Sequence, residues 1–148
     1  MSKLQPRIRD SALNFLAIRE HSQLELRQKL LRKDFPLELI NQVLVQLHAE
    51  NLQSDARFTE SFIRSRANKG QGCLRIRYEL QQLGIAAAVV NEYLDENDEL
   101  WQQLAQQVRK KKFGTALPRD PKQKAKQIRF LQYRGFSATQ IQRALRLE

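Results

Sequence analysis

A single cysteine, Cys73, cannot close an internal disulfide, and the two histidines, His21 and His48, have no paired Cys or His at zinc-ligand spacing. Disulfide scaffolds and structural zinc sites are thereby excluded. No apolar run approaches the roughly 20 residues needed to cross a bilayer, and Met1 to Asp10 lack the apolar stretch of a secretory signal, so the chain is expected to stay in the cytoplasm. Phosphate loops are missing too: Gly70, Gln71 and Gly72 follow a helical stretch and lack the lysine spacing of a P-loop. No Gly-x-Ser-x-Gly elbow occurs, and Cys73 could meet a base only if His21 or His48 were brought across from a distant segment. Neither a cofactor, a metal nor a catalytic site is therefore expected, and the chain is read as a non-enzyme.

Cations, by contrast, are in excess. The 148 residues carry 26 Lys+Arg against 16 Asp+Glu, a net charge of +10, with mean hydropathy −0.61. Residues 1 to 100 hold 14 of each sign, so the whole excess lies in residues 101 to 148. The middle of the chain is polarised as well, since Arg57 to Arg77 holds six bases and one acid, and Glu79 to Glu99 holds six acids and no base. Charge this one-sided is costly to concentrate and points to an anionic partner.

Only five glycines and four prolines interrupt the chain, and its apolar residues recur at intervals of three and four, so the fold class is all-α. Leu37, Ile40, Leu44 and Leu47, for example, share one face of a helix opened by Pro36. A four-residue pattern then repeats at offsets of 50 and 51 residues: Leu30, Asp34, Phe35 and Ile40; Leu80, Gly84, Ile85 and Val90; Leu131, Gly135, Phe136 and Ile141. Each term has a mechanical reason. The second residue takes a left-handed conformation that ends a helix, and the next apolar side chain folds back on the residue five before it, as in a Schellman cap. That same side chain precedes the next helix and staples onto it, pairing Phe35 with Ile40 and Phe136 with Ile141.

Capping boxes at Ser22 with Glu25 and at Ser137 with Gln140, and the N-cap Asp120 before Pro121, support a count of nine helices. They are placed at 10–20, 22–33, 36–49, 54–67, 72–83, 86–95, 98–112, 120–134 and 137–147. Grouped in threes they give repeats at 1–51, 52–97 and 98–148, units too small to bury their own faces that stack into an elongated curved rod. The segment from Phe113 to Arg119, with Gly114 and Pro118, is the one weak join and is expected to be a mobile loop.

His21 beside Ser22 reads as a turn residue, Cys73 as a small packed or half-exposed residue at a helix start, and Trp101 as core on a face with Leu100, Leu104 and Val108. The basic residues fall into two groups. Arg64, Arg66, Lys69, Arg75 and Arg77 straddle one helix junction, and Arg109, Lys110, Lys111, Lys112, Arg119, Lys122, Lys124 and Lys126 flank the last loop. The contact residues chosen from them are Arg64, Arg66, Lys69, Arg75, Arg77, Lys111, Lys112, Lys124 and Lys126. Sequence-specific DNA reading fits less well: Gln140, Gln142 and Arg143 could face bases, but the corresponding helix of the middle repeat, with Asn91, Glu92, Asp95 and Glu96, would repel phosphates.

The stretch LAIREHSQLELRQKL from Leu16 to Leu30 resembles the opening motif of the RecX family. So do DARF at Asp55 to Phe58 followed by Arg64, Ser65 and Arg66, GQGCLRI at Gly70 to Ile76 with Glu79, Leu80, Gly84 and Ile85, and RFLQYRGFS at Arg129 to Ser137. The segments span nearly the whole chain in the family's order. Ile18 and Gln23 stand where the family often has arginine, and Cys73 where it often has proline. The resemblance implies a modulator, usually an inhibitor, that lies in the groove of the RecA filament on single-stranded DNA and suppresses its ATPase, recombinase and co-protease activities. The expected partners are thus the RecA filament and single- or double-stranded DNA, with no membrane, the protein acting as a monomer. The alternative is a nonspecific DNA-binding protein that works by occupying DNA.

Overall fold

The computed structural model describes residues 3–146. Among them are nine helices and no strand: α1 (Leu4–Ile18), α2 (Gln23–Leu31), α3 (Leu37–Ala49), α4 (Asp55–Asn68), α5 (Cys73–Gln82), α6 (Ala87–Tyr93), α7 (Glu99–Phe113), α8 (Pro121–Arg134) and α9 (Ala138–Leu145). No described helix is long and apolar enough to cross a membrane. The chain divides into two compact units, one running to Ser61 and including Leu80–Val90, the other containing Phe62–Glu79 and everything from Asn91 onward. The division passes through α4 and α5.

The first unit is built on the packing of α1, α2 and α3. Ile8 and Ala12 of α1, Leu26 and Leu30 of α2, and Ile40, Val43, Leu44 and Leu47 of α3 form a cluster almost wholly removed from water. The helical spacing of these residues puts each set on one face, and their burial drives the association. α1 starts six residues before the expected position 10, because Leu4 and Ile8 continue the buried stripe one turn further back. Pro6 does not prevent this, since an amide in the first turn has no intrahelical acceptor to lose.

The turn into α2 is held from several sides. Ser22 and Glu25 form the reciprocal capping box, the Ser22 hydroxyl accepting from the Glu25 amide and the Glu25 carboxylate from the Ser22 amide, both at 3.1 Å. His21 is buried, as a turn residue joining two helices. Its Nδ1 lies 3.0 Å from the Arg19 carbonyl oxygen, which can only accept, so Nδ1 carries the proton and Nε2 accepts from the Lys29 ammonium at 2.7 Å. Burial lowers the imidazole's pKa, and the Arg19 and Lys29 charges push the same way. Gln53 and Asp55 complete the junction: the Asp55 carboxylate accepts from the Gln23 amide and the Gln53 side chain, each at 2.9 Å.

In the second unit α7, α8 and α9 pack around Ala105, Leu131, Phe136, Ile141, Ala144 and Leu145. The repeating cap is complete at its second and third occurrences. Gly84 and Gly135 take φ of 79° and 98°, and the amides of Ile85 and Phe136 each donate to the carbonyl five residues back, Leu80 and Leu131, at 3.1 Å. Asp34 adopts the same left-handed conformation at φ 64°, with its amide bonded to Leu31 O, but the Phe35 amide makes no bond back to Leu30 O, so the first cap lacks the closing bond of the other two. Phe35 packs on the cluster containing Leu30 and Ile40, and Phe136 shares a cluster with Leu131 and Ile141, as the staple requires. The capping box at Ser137 with Gln140 and the Asp120 cap before Pro121 both form.

Several expected details are corrected. Pro36 is the N-cap of α3 and stands just outside the helix. α6 ends at Tyr93, two residues short of 95, where Arg77 Nη2 takes the Leu94 carbonyl at 3.1 Å. The last helix ends at Leu145, and the expected end at 147 lies outside the described residues. Trp101 is buried, but Leu100 is 65% exposed and does not share its face. Cys73 opens α5 and is buried, and desolvation raises its thiol pKa.

Candidate functional site

Helix α7 carries Leu104, Gln107, Val108, Lys111 and Lys112 on one stripe, because offsets of three and four keep side chains on the same face. Against that stripe lie the last residue of α4, Asn68, with Lys69 and Gly70 of the turn that follows, and two residues of α8, Phe130 and Arg134. Together they line a cleft of about 490 Å³. Its floor is apolar, from Leu104, Val108 and Phe130, and its rim is cationic, from Lys69, Lys111, Lys112 and Arg134. No acid lines it.

Two close backbone approaches set the geometry. The Gly72 amide donates to Arg134 O at 2.7 Å and the Leu74 amide to Gly135 O at 3.0 Å, so the turn before α5 is bonded to the turn after α8. Such contact needs a bare Cα: a Cβ on Gly72 would stand 2.5 Å from the carbonyl carbon and oxygen of Gly135. The glycines of the GQG stretch therefore serve close packing. Arg134 then reaches across, donating from Nη1 to Lys69 O at 3.2 Å and to Gly70 O at 3.4 Å, while its guanidinium lies 5.0 Å from the Phe130 ring centroid. Lys112 Nζ stands 5.8 Å from the same centroid, and Phe113 meets that ring edge-on at 5.3 Å. With cations and an aromatic edge around it, Phe130 is poorly placed to stack a nucleobase, and the cleft favours an anionic group with an apolar stem.

The nine chosen contact residues separate in the structure. Lys69, Lys111 and Lys112 come together in the cleft, 42 and 43 residues apart in sequence. Arg66 and Arg75 share the Glu79 carboxylate, at 3.2 and 3.0 Å, and each also covers an aromatic ring, Phe62 at 4.5 Å and Tyr133 at 5.3 Å. Arg77 donates to Asn91 Oδ1 at 2.7 Å as well as to Leu94 O, so its charge is tied to the end of α6. Arg64 and Lys126 are exposed and Lys124 half-buried, none of them lining the cleft.

Arg134 belongs to the cleft although charge clustering in the sequence does not select it. Its sequence signal is its place four residues after Phe130, one helical turn along the same face. Arg109, grouped by sequence with the surface cations, is instead 2% exposed, because it continues the buried stripe of Trp101 and Ala105 at intervals of four. Gln140 is buried too and donates to Glu96 O at 2.9 Å, so it cannot read bases from a groove.

Three family models match in order: the first three-helix domain of RecX at residues 9–47, the second at 54–94 and the third at 98–145. The regulatory protein RecX of Halorhodospira halophila is 42% identical over 137 residues, covering 93% of this chain and 85% of its own. That of Pseudomonas entomophila is 44% identical over 138 residues, covering 93% and 89%. The fold is shared with the crystal structure of RecX from Lactobacillus salivarius, at TM-score 0.83 and 20% identity over the full length of both chains. The arrangement of nine helices as three tandem domains, and identities above 40% across nearly the whole length, place this chain in the RecX family of regulatory proteins.

Proposed function

We propose that this chain regulates the RecA filament on single-stranded DNA, inhibiting its ATPase, recombinase and co-protease activities through contact and without catalysis of its own. The observation that carries the reading is the acid-free cleft of Lys69, Lys111, Lys112 and Arg134, in a chain whose relatives are named as regulators. An acidic side chain on an apolar stem, offered by a filament subunit, would satisfy both rim and floor. The protein acts as a cytoplasmic monomer in this reading, and Arg64, Lys124 and Lys126 supply further contacts to protein or DNA phosphate. Arg66, Arg75 and Arg77 add to the local field while holding the fold.

Single-stranded-DNA-dependent ATP hydrolysis by RecA, measured as the protein is titrated in well below the number of DNA sites, tests this. A fall in rate at substoichiometric ratios is expected, and the triple variant Lys69→Glu, Lys111→Glu, Lys112→Glu should lose it while its unfolding curve stays near that of the parent, since these side chains are exposed. Inhibition that appears only when the DNA is nearly coated, with a steep salt dependence, would replace this reading by DNA occupancy.

A further inference from the structure

A second concentration of cations lies on the other side of α7, around a residue whose environment is incomplete. Arg109 is buried, yet no carboxylate among the described residues meets it. Its five N–H donors find only long contacts: Nη1 to Ala116 O at 3.3 Å and to Gln127 Oε1 at 3.5 Å, and Nη2 to Thr115 O at 3.5 Å. Nε, also buried, has no partner. A guanidinium opposite a real counter-ion makes bonds of about 2.7–2.9 Å, often as a parallel pair. Leaving a buried charge without one is among the costlier things a fold can do.

Arg109 lines a cavity of about 550 Å³ whose other walls carry Lys110, Arg119, Arg143 and Arg146, with no acid among the described residues that line it. The cations come from three places: the end of α7, the loop before α8 and the end of α9. Basic residues in a helix's last turn do complement its dipole, which accounts for Lys110 and Arg143 separately. It accounts neither for the buried Arg109 with an idle Nε nor for the convergence of five cations on one space. Arg146 also stands close enough to weaken Arg109's hold on its proton, after the larger effect of burial.

We propose that this cavity is a phosphate-binding site, in which one phosphate group is held by Arg109 from the wall and by Arg119, Arg143 and Arg146 from the rim. A planar carboxylate has two oxygens and one charge, which a single guanidinium satisfies. A tetrahedral phosphate offers oxygens in several directions and so matches donors arriving from two helices and a loop. The loop carbonyls of Thr115 and Ala116 meet the outer nitrogens of the guanidinium only at 3.5 and 3.3 Å, so these donors are held weakly and can turn to a ligand. The phosphate is either a free phosphate ion or one unit of a nucleic-acid backbone.

The test uses the full chain, isotopically labelled, with the Nε–Hε resonance of Arg109 read by NMR. Sodium phosphate is titrated in at constant ionic strength against sodium chloride, and a short single-stranded oligonucleotide is titrated separately. A saturable shift of the Arg109 signal is expected. Arg119→Gln with Arg143→Gln, both exposed positions, should weaken binding by about ten- to a hundredfold, with the thermal unfolding curve showing that the variant remains folded. Saturation by phosphate itself would identify a free-ion site, and saturation by the oligonucleotide alone a backbone site. An Arg109 signal unmoved by both, or moved equally by chloride, overturns the proposal. No RecA is present in the experiment, so its failure and the failure of the filament reading are separate events.

Discussion

Replacing Gly72 by alanine separates two lines of reasoning that predict opposite signs. Gly72 immediately precedes α5 and its backbone is not in the left-handed region, so a general argument from the unfolded chain expects alanine to stabilise by about 0.4–1 kcal/mol. The structure says otherwise. The new Cβ would stand 2.5 Å from C and O of Gly135 and 2.6 Å from the Phe136 amide nitrogen, and none of these is a flexible side-chain end that can swing away. Carbon contacts relax near ~3.5–4.0 Å, so the two turns must separate by about 1 Å. That stretches the bonds from the Gly72 amide to Arg134 O, now 2.7 Å, and from the Leu74 amide to Gly135 O, now 3.0 Å, to or beyond the hydrogen-bond limit. With each disrupted bond costing about 1–3 kcal/mol and the entropy gain subtracted, the net loss is about 2–5 kcal/mol. Urea unfolding monitored by circular dichroism should show the midpoint fall by about 1–2 M at unchanged slope. A variant as stable as the parent, or more so, would refute the claim that this close approach dominates.

His21 should make stability depend on pH. Its folded pKa is lowered from 6.5, chiefly by burial, so between that depressed value and 6.5 the unfolded state binds more protons than the folded one. Stability is therefore fully present above 6.5 and declines as pH falls through that window; a His21→Gln variant should flatten the slope there, and an imidazole titration by NMR with its midpoint at or above 6.5 would contradict the assignment. Cys73 should resist alkylation by iodoacetamide in the folded protein and react freely in denaturant, because it is 1% exposed and its thiol is held protonated by desolvation; rapid labelling under native conditions would show the site to be open. As Cys73 is the first residue of α5, where the amide needs no intrahelical acceptor, Cys73→Pro should fold and raise stability by about 0.4–1 kcal/mol, and a thermal midpoint below that of the parent would count against the helix start placed here.

Local periodicity is the part of this fold that the residues alone make legible. Helix faces, the two capping boxes, the three left-handed helix ends and the staple residues each depend on neighbours within about five positions, and the structure contains them. The extra turns of α1 are less visible in the sequence, because Pro6 interrupts the pattern although a first-turn proline costs the helix nothing. The cleft is half legible. Charge alone selects Lys69, Lys111 and Lys112, but nothing in their spacing says that a turn 42 residues upstream faces α7. The fates of Arg66, Arg75 and Arg77 are hidden for the same reason: each has an acceptor, Glu79, Asn91 or Leu94 O, whose place is fixed only by tertiary packing. Arg109 shows the limit of charge counting, since a cation on a buried stripe is a different object from one in solvent.

All three caps place a residue in the left-handed region yet differ in which residue that is, and the cause is the neighbour that stands over the two glycines. At Gly135 a Cβ would meet Arg75 Cβ at 2.3 Å; at Gly84 it would meet Leu24 Cβ at 2.8 Å. Both neighbours lie 60 residues earlier, near the start of the middle helix of the preceding repeat, so the cap glycine is also the surface on which that repeat rests. The first cap lies in the first three-helix domain, and there the left-handed position is filled by Asp34 at φ 64°, which is exposed and has nothing packed over it. Asp34 carries only the conformational cost of a side chain in this region, about 1–2 kcal/mol, partly offset by the greater freedom a glycine would have when unfolded. Asp34→Gly should accordingly stabilise by about 0.5 kcal/mol, whereas Gly135→Ala adds a clash to the same strain and should cost well over ~2 kcal/mol. Thermal unfolding of the two variants measures the asymmetry. Changes of equal size and opposite sign would mean that conformation alone chose the residue, and that the repeat overhead had no part in it.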